Sequence, residues 1–150
     1  MKKIEIDTFL KFRFLSNPHF SPDGTKIAFT VSVPDRETNG YLSDLYLYDL
    51  GKKTVSRVTC SGDAKTWSWT AENTLIFTAA RTAALKKEKE NGTSFLYEIS
   101  PSGGEAQCIT SIPATVTGIR LLPDGRYLLT IRHDNYRDTR KKSYEVFDEL

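Results

Sequence analysis

Apolar and polar positions alternate over short stretches divided by turn residues, which predicts β-strands and turns along most of the chain. After Ser21-Pro22-Asp23-Gly24, the residues Ile27, Phe29, Val31 and Val33 fall on one face of a strand, and Ala28, Thr30 and Ser32 on the other. A second stretch, Ser43-Asp44-Leu45-Tyr46-Leu47-Tyr48-Asp49-Leu50, turns at Gly51-Lys52-Lys53 and returns through Val55-Ser56-Arg57-Val58-Thr59. The same succession follows further on. Ser94-Phe95-Leu96-Tyr97-Glu98-Ile99 turns at Pro101-Ser102-Gly103-Gly104 and returns through Gln107-Cys108-Ile109-Thr110. Thr59 and Thr110 are 51 residues apart, so a whole four-strand unit recurs and not merely a turn.

The turn phrase itself recurs on the same period. His19-Phe20-Ser21-Pro22-Asp23-Gly24-Thr25-Lys26-Ile27-Ala28-Phe29 returns as Leu121-Leu122-Pro123-Asp124-Gly125-Arg126-Tyr127-Leu128-Leu129, with a worn copy at Trp69-Thr70-Ala71-Glu72-Asn73-Thr74-Leu75-Ile76-Phe77. Pro22, Ala71 and Pro123 are 49 and 52 residues apart, the period of a propeller blade. Proline presets φ in such a turn, aspartate accepts local backbone hydrogen bonds, and glycine takes the positive φ that closes it.

The expected fold is therefore all-β: a partial β-propeller of about three four-stranded antiparallel blades, the third incomplete. The expected division is a lead-in over 1–16, blades over 17–60 and 61–112, and an incomplete blade over 113–150. Propellers close with roughly four to eight blades, so the chain reads as a fragment. The third unit reaches Ser143-Tyr144-Glu145-Val146-Phe147 without an outer strand after it. In the lead-in, Asp7 is placed to cap a short helix. The connections Pro34 to Leu42, Arg81 to Thr93 and His133 to Lys142 are expected as long loops on one face of the disc. The middle one is rich in helix formers and predicts a turn or two of helix over 81–90.

Composition narrows the function classes. The 21 basic and 19 acidic residues leave a net charge of +2 and are interspersed, which gives no push towards nucleic acid. No apolar run approaches the roughly 18 residues of a membrane span. Met1-Lys2-Lys3-Ile4-Glu5-Ile6-Asp7 is charged where a signal peptide is apolar, so cytoplasm is the expected location. Cys60 and Cys108, the only cysteines, are expected as half-buried strand thiols. Asn91-Gly92-Thr93 spells a glycosylation acceptor and is read as a turn.

Catalytic and binding motifs were sought by type. The string nearest to a hydrolase elbow, Gly92-Thr93-Ser94-Phe95-Leu96, lacks the last glycine and precedes a strand. His19 and His133, the only histidines, have no acid–nucleophile arrangement near them in sequence. Gly51-Lys52-Lys53-Thr54 lacks the upstream glycine of a phosphate loop, because position 46 is tyrosine. Two basic clusters, Lys86, Lys87 and Lys89, and Arg137, Arg140, Lys141 and Lys142, are diluted by Glu88, Glu90, Asp134 and Asp138. No catalytic residue, cofactor-binding residue or metal ligand is therefore assigned.

Asn17 to Phe29, then Ser43 to Leu50 and Arg57-Val58-Thr59, resemble the opening blades of prolyl oligopeptidase family serine peptidases, most nearly the acylaminoacyl-peptidase-like branch. Ile6-Asp7-Thr8-Phe9-Leu10-Lys11-Phe12 is similar to the element before the first blade there, and Tyr144-Glu145-Val146-Phe147-Asp148-Glu149-Leu150 to a segment inside the third. The resemblance spans essentially the whole chain. It implies a parent enzyme that cleaves short or acylated peptides through an α/β-hydrolase domain, with the propeller gating substrate access. No triad position of that family falls within these residues. A TolB-like or WD-repeat-like module for protein binding is the alternative, and a small protein that completes a ring with its own copies is a third reading. A three-blade arc leaves apolar faces and strand edges open, so the isolated chain is expected to self-associate.

Overall fold

A computed structural model describes residues 6–132. It contains two four-stranded antiparallel sheets and a two-stranded hairpin. The first sheet has the order β1 (Phe14–Phe20), β2 (Lys26–Asp35), β3 (Gly40–Asp49), β4 (Thr54–Arg57). The second follows the same simple meander: β5 (Trp67–Trp69), β6 (Leu75–Thr78), β7 (Ser94–Ile99), β8 (Gln107–Ile112). The hairpin pairs β9 (Thr115–Leu121) with β10 (Tyr127–Arg132). An α-helix, α1 (Ala83–Glu90), joins β6 to β7. Consecutive strands that pair edge to edge in four-stranded units are the β-propeller arrangement.

The core lies between the two large sheets. Ala28, Leu45 and Leu47 from the first meet Trp67, Trp69, Leu75, Phe77, Tyr97 and Ile99 from the second. Ala28 pairs with Leu47 and Thr30 with Leu45, so the small-residue face of β2 is the one turned to this core. On the strongly apolar face Val31 is buried, while Ile27, Phe29 and Val33 are only half-buried. Short side chains on β2 let the two indoles approach its sheet closely. Trp67 Nε1 donates to Thr30 Oγ1 at 2.9 Å, and Trp69 Nε1 donates to the His19 carbonyl at 3.1 Å. Both indole N–H groups are thus satisfied, as a buried tryptophan requires.

A buried carboxylate fastens the outer part of the first sheet. Asp44 on β3 accepts from Arg57 Nη2 at 2.6 Å, from Thr59 Oγ1 at 2.9 Å and from the Gly62 N–H at 3.0 Å. Arg57 also donates through Nε to the Thr59 carbonyl at 2.8 Å. The charge partner holds the guanidinium above its ordinary value, hydrogen bonding to Asp44 being the main cause. The link to the second sheet continues through Asp63, which accepts from the Ala80 N–H at 2.7 Å and from Lys89 Nζ at 3.2 Å.

Several local expectations change. The connection after β2 is only the turn 36–39, because β2 and β3 stay paired out to Asp35 and Gly40. Asp7 lies inside the first turn of a 3-10 helix, Ile6–Lys11, and does not cap it. Both thiols are exposed: Cys60 lies just beyond β4, and Cys108 sits on the outermost strand of its sheet, where nothing described covers it. His133, the loop His133 to Lys142 and the segment 143–150 lie outside the described residues. The helix expected over 81–90 is present as α1, capped by Thr82, whose hydroxyl accepts from the Leu85 N–H at 3.2 Å.

Candidate functional site

The three turn phrases fold alike and fix the ends of the first strands of each unit. Gly24, Asn73 and Gly125 stand at corresponding positions with φ of 69°, 59° and 82°. Each backbone N–H donates three residues back, to Ser21, Thr70 and Leu122. Asparagine tolerates this left-handed backbone better than other residues with a side chain, which explains how the worn copy keeps the turn. It adds a link between units: Asn73 Oδ1 accepts from the Asp23 N–H at 3.0 Å. The Asp23 carboxyl is held below its ordinary value, first by the Ser21 hydroxyl at 2.6 Å and then by the Thr25 N–H and hydroxyl. Asp124 is lowered likewise by Arg126, its side chain first.

These turns bring the first strands of all three units to one open cleft of about 500 Å³. Asn17, His19, Phe20 and Pro22 line it from β1 and its turn, residues 65–69 from β5 and the segment before it, and residues 117–121 from β9. β1 and β5 are the free edges of their sheets, and β9 pairs only with β10 among the described residues. A propeller's first strands surround its axis, so this cleft is the axial side of the arc. Asn17 bulges β1 between Ser16 and His19, with φ of 55°. The His19 ring meets Trp67 edge-on, with centroids 5.6 Å apart.

The sequence motifs fall elsewhere or into structural roles. Ser94 is buried on β7, and its Oγ accepts from the Val116 N–H at 2.8 Å, which ties the second sheet to β9. Gly51-Lys52-Lys53-Thr54 is the β3–β4 hairpin turn, in which the Lys52 N–H donates to Asp49 Oδ1 at 2.9 Å. Asn91 caps the C-terminus of α1 and leads into Gly92 with φ of 93°. Lys86, Lys87 and Lys89 lie on the exposed α1, away from the cleft. Arg137, Arg140, Lys141 and Lys142 lie outside the described residues. Among the described residues no three histidine, cysteine or carboxylate side chains converge as metal ligands. No helix among them is long and apolar enough to cross a membrane.

The cleft-lining Lys65, Thr66, Trp67 and Arg120 were not singled out from the sequence. The signal that finds them is their place in the repeat, just ahead of a turn phrase, where the axial strand of a blade must run.

No protein-family model matches the chain. It is 29% identical, over 97% of its length, to a Bacillus subtilis (strain 168) protein described as uncharacterized peptidase YuxL, and it spans 22% of that relative. The β-propeller domain of the Trilobed protease from Pyrococcus furiosus matches 81% of the chain with a TM-score of 0.58 and 16% identity, the match covering 34% of that structure. The Pyrococcus horikoshii acylaminoacyl peptidase matches 86% with a TM-score of 0.62 and 18% identity, over 20% of its own length. An acylaminoacyl peptidase bound to a Z-Gly-Gly-Phe chloromethyl ketone gives a TM-score of 0.63 over 86% of the chain, again at 18% identity and covering 19% of that structure. The structural likenesses show the β-propeller fold. The chain spans about a fifth of the length of the sequence relative, which is itself described as a peptidase.

Proposed function

We propose that this propeller portion gates the access of short or acylated peptides to a serine hydrolase domain carried by the same chain in the cytoplasm. The observation that carries the reading is the cleft itself. Three free strand edges, one from each repeat unit, line a single channel-sided opening. An opening of this kind suits an extended segment, because unpaired strand edges offer backbone hydrogen bonds that such a segment can add to. The residues described supply walls rather than chemistry: indole and phenyl surface, hydroxyls and cationic side chains. Bond cleavage is then the work of the hydrolase domain, and the propeller acts on which substrates reach it.

The test is to find the cellular product that an antibody against this chain recognises and to treat it with a fluorophosphonate probe. The expected result is a labelled protein several times larger than 17.0 kDa. A 17.0 kDa product that takes no label would overturn the reading.

A further inference from the structure

We infer that the axial cleft selects extended peptides bearing acidic side chains. This rests on the gating reading and gives it a substrate class. Among the described residues, the charged and titratable groups that line the cleft are His19, Lys65 and Arg120, one from each of the three units, and no carboxylate lines it. That bias is local, since the whole chain is nearly balanced at 21 basic and 19 acidic residues. Two carboxylates near the lining in sequence are hydrogen-bonded to residues outside it, and Glu72 stands on the turn after β5. Asp23 is taken up by Ser21 and Thr25, and Asp63 by the Ala80 N–H and Lys89. Lys65 and Arg120 are exposed and have no ion-pair partner among the described residues.

Two features narrow the ligand further. The two cationic groups, Lys65 and Arg120, stand on different segments, so a ligand that meets both carries carboxylates spaced along its length. The free edges of β1, β5 and β9 offer backbone groups to an extended chain, and strand addition supplies the affinity that exposed ion pairs alone do not. Low-dielectric walls from Trp67 and Trp69 strengthen each charge contact relative to open solvent.

The experiment is fluorescence anisotropy of the full cellular protein that carries these residues, its hydrolase blocked with the fluorophosphonate, with a blocked, labelled peptide of alternating glutamate and threonine at low and at physiological salt. The glutamate peptide is expected to bind about tenfold more tightly than its glutamine counterpart at low salt, with the gap narrowing as salt rises. The lysine counterpart is expected to bind more weakly than either. The double variant Lys65→Gln, Arg120→Gln should lose the preference, whereas Lys86→Gln, Lys87→Gln on α1 should keep it. Equal affinity for the glutamate and glutamine peptides overturns the inference. So does an absence of binding, or a preference that survives in the double variant. It is overturned as well if a peptide with a free C-terminus and no acidic side chain binds as tightly as the glutamate peptide. Because the peptide comparison uses unaltered protein, it stands even if the double variant misfolds. A labelled hydrolase together with indifferent peptide binding would leave gating intact and remove only charge selection. A glutamate preference without a labelled hydrolase would do the reverse.

Discussion

At the scale of single residues, the turn aspartates set how the protein responds to acid. Asp23, Asp35, Asp49 and Asp124 are all held below the ordinary 3.8, chiefly by the hydrogen bonds of the Ser21 and Thr38 hydroxyls, the Lys52 N–H and the Arg126 side chain respectively. A carboxyl whose folded-state value is depressed stabilises the fold at pH above its unfolded value. That contribution is lost as pH falls from about 3.8 through the lower folded values. The thermal midpoint should therefore be flat from neutrality to about pH 5 and begin to fall below about pH 4, modestly because these carboxyls are exposed. Asp23→Asn, which keeps one accepting oxygen and cannot ionise, should shrink that fall. An acid limb of unchanged depth in the variant would show that the turn carboxylates do not govern it. Much at this scale was legible beforehand. Pro22, Asp23 and Gly24 announce their turn, and Asn73 keeps it because its side chain tolerates a φ of 59°.

Elements are held together by a few buried polar contacts whose partners the sequence does not pair. Asp44 stands out in β3 as a charge among Leu45, Leu47 and aromatic neighbours, yet nothing local says that Arg57, Thr59 and Gly62 converge on it. The second unit has Phe95 at the corresponding place, so the repeat offers no guide either. Asp44→Ala would strand the Gly62 N–H and the Thr59 hydroxyl and leave Arg57 without its ion pair. Because Arg57 is half-exposed, we expect a loss of about 2–3 kcal/mol in urea unfolding. A change below about 0.5 kcal/mol, the usual range of a surface substitution, would show that the network is not a structural fastening. The two tryptophans make the same point about packing. Their indole N–H groups reach Thr30 and the His19 carbonyl only because the small-residue face of β2 is turned to the core.

For the molecule as a whole, the two large sheets carry the same aromatic pair in two environments. Phe77 stacks on Tyr97 with centroids 5.9 Å apart and planes at 28°, and both are buried against the first sheet. Phe29 and Tyr46, their counterparts one unit earlier, stack at 6.0 Å and 28° on a face that no described residue covers fully. Leu15 and Phe20 continue that open face at 68% and 64% exposure. An apolar sheet face of this size, with β1 a free edge beside it, favours association. We expect the isolated chain to run as oligomers in size-exclusion chromatography with light scattering, and Phe29→Ser with Tyr46→Ser to shift it towards monomer. A monodisperse monomer of the unaltered chain would contradict this. The lead-in aromatics pack on the first sheet: Phe9 and Phe12 gather around Phe14, which meets Tyr41 edge-on at 5.9 Å.

What the sequence determined by itself is the repeat and everything local to it. Alternation sets the strands, proline, aspartate and glycine or asparagine set the turns, and a period near 50 residues sets the propeller, because these are interactions between near neighbours in the chain. Only the tertiary structure decided which face of β2 is buried, where Asp44 finds its partners and which side chains line the axial cleft. Those outcomes depend on how one unit rotates onto the next, which brings residues about 50 positions apart, such as Trp69 and His19 or Asn73 and Asp23, into contact. Lys65 and Arg120 are ordinary surface charges in the sequence; the tertiary structure places them on the lining of one cleft.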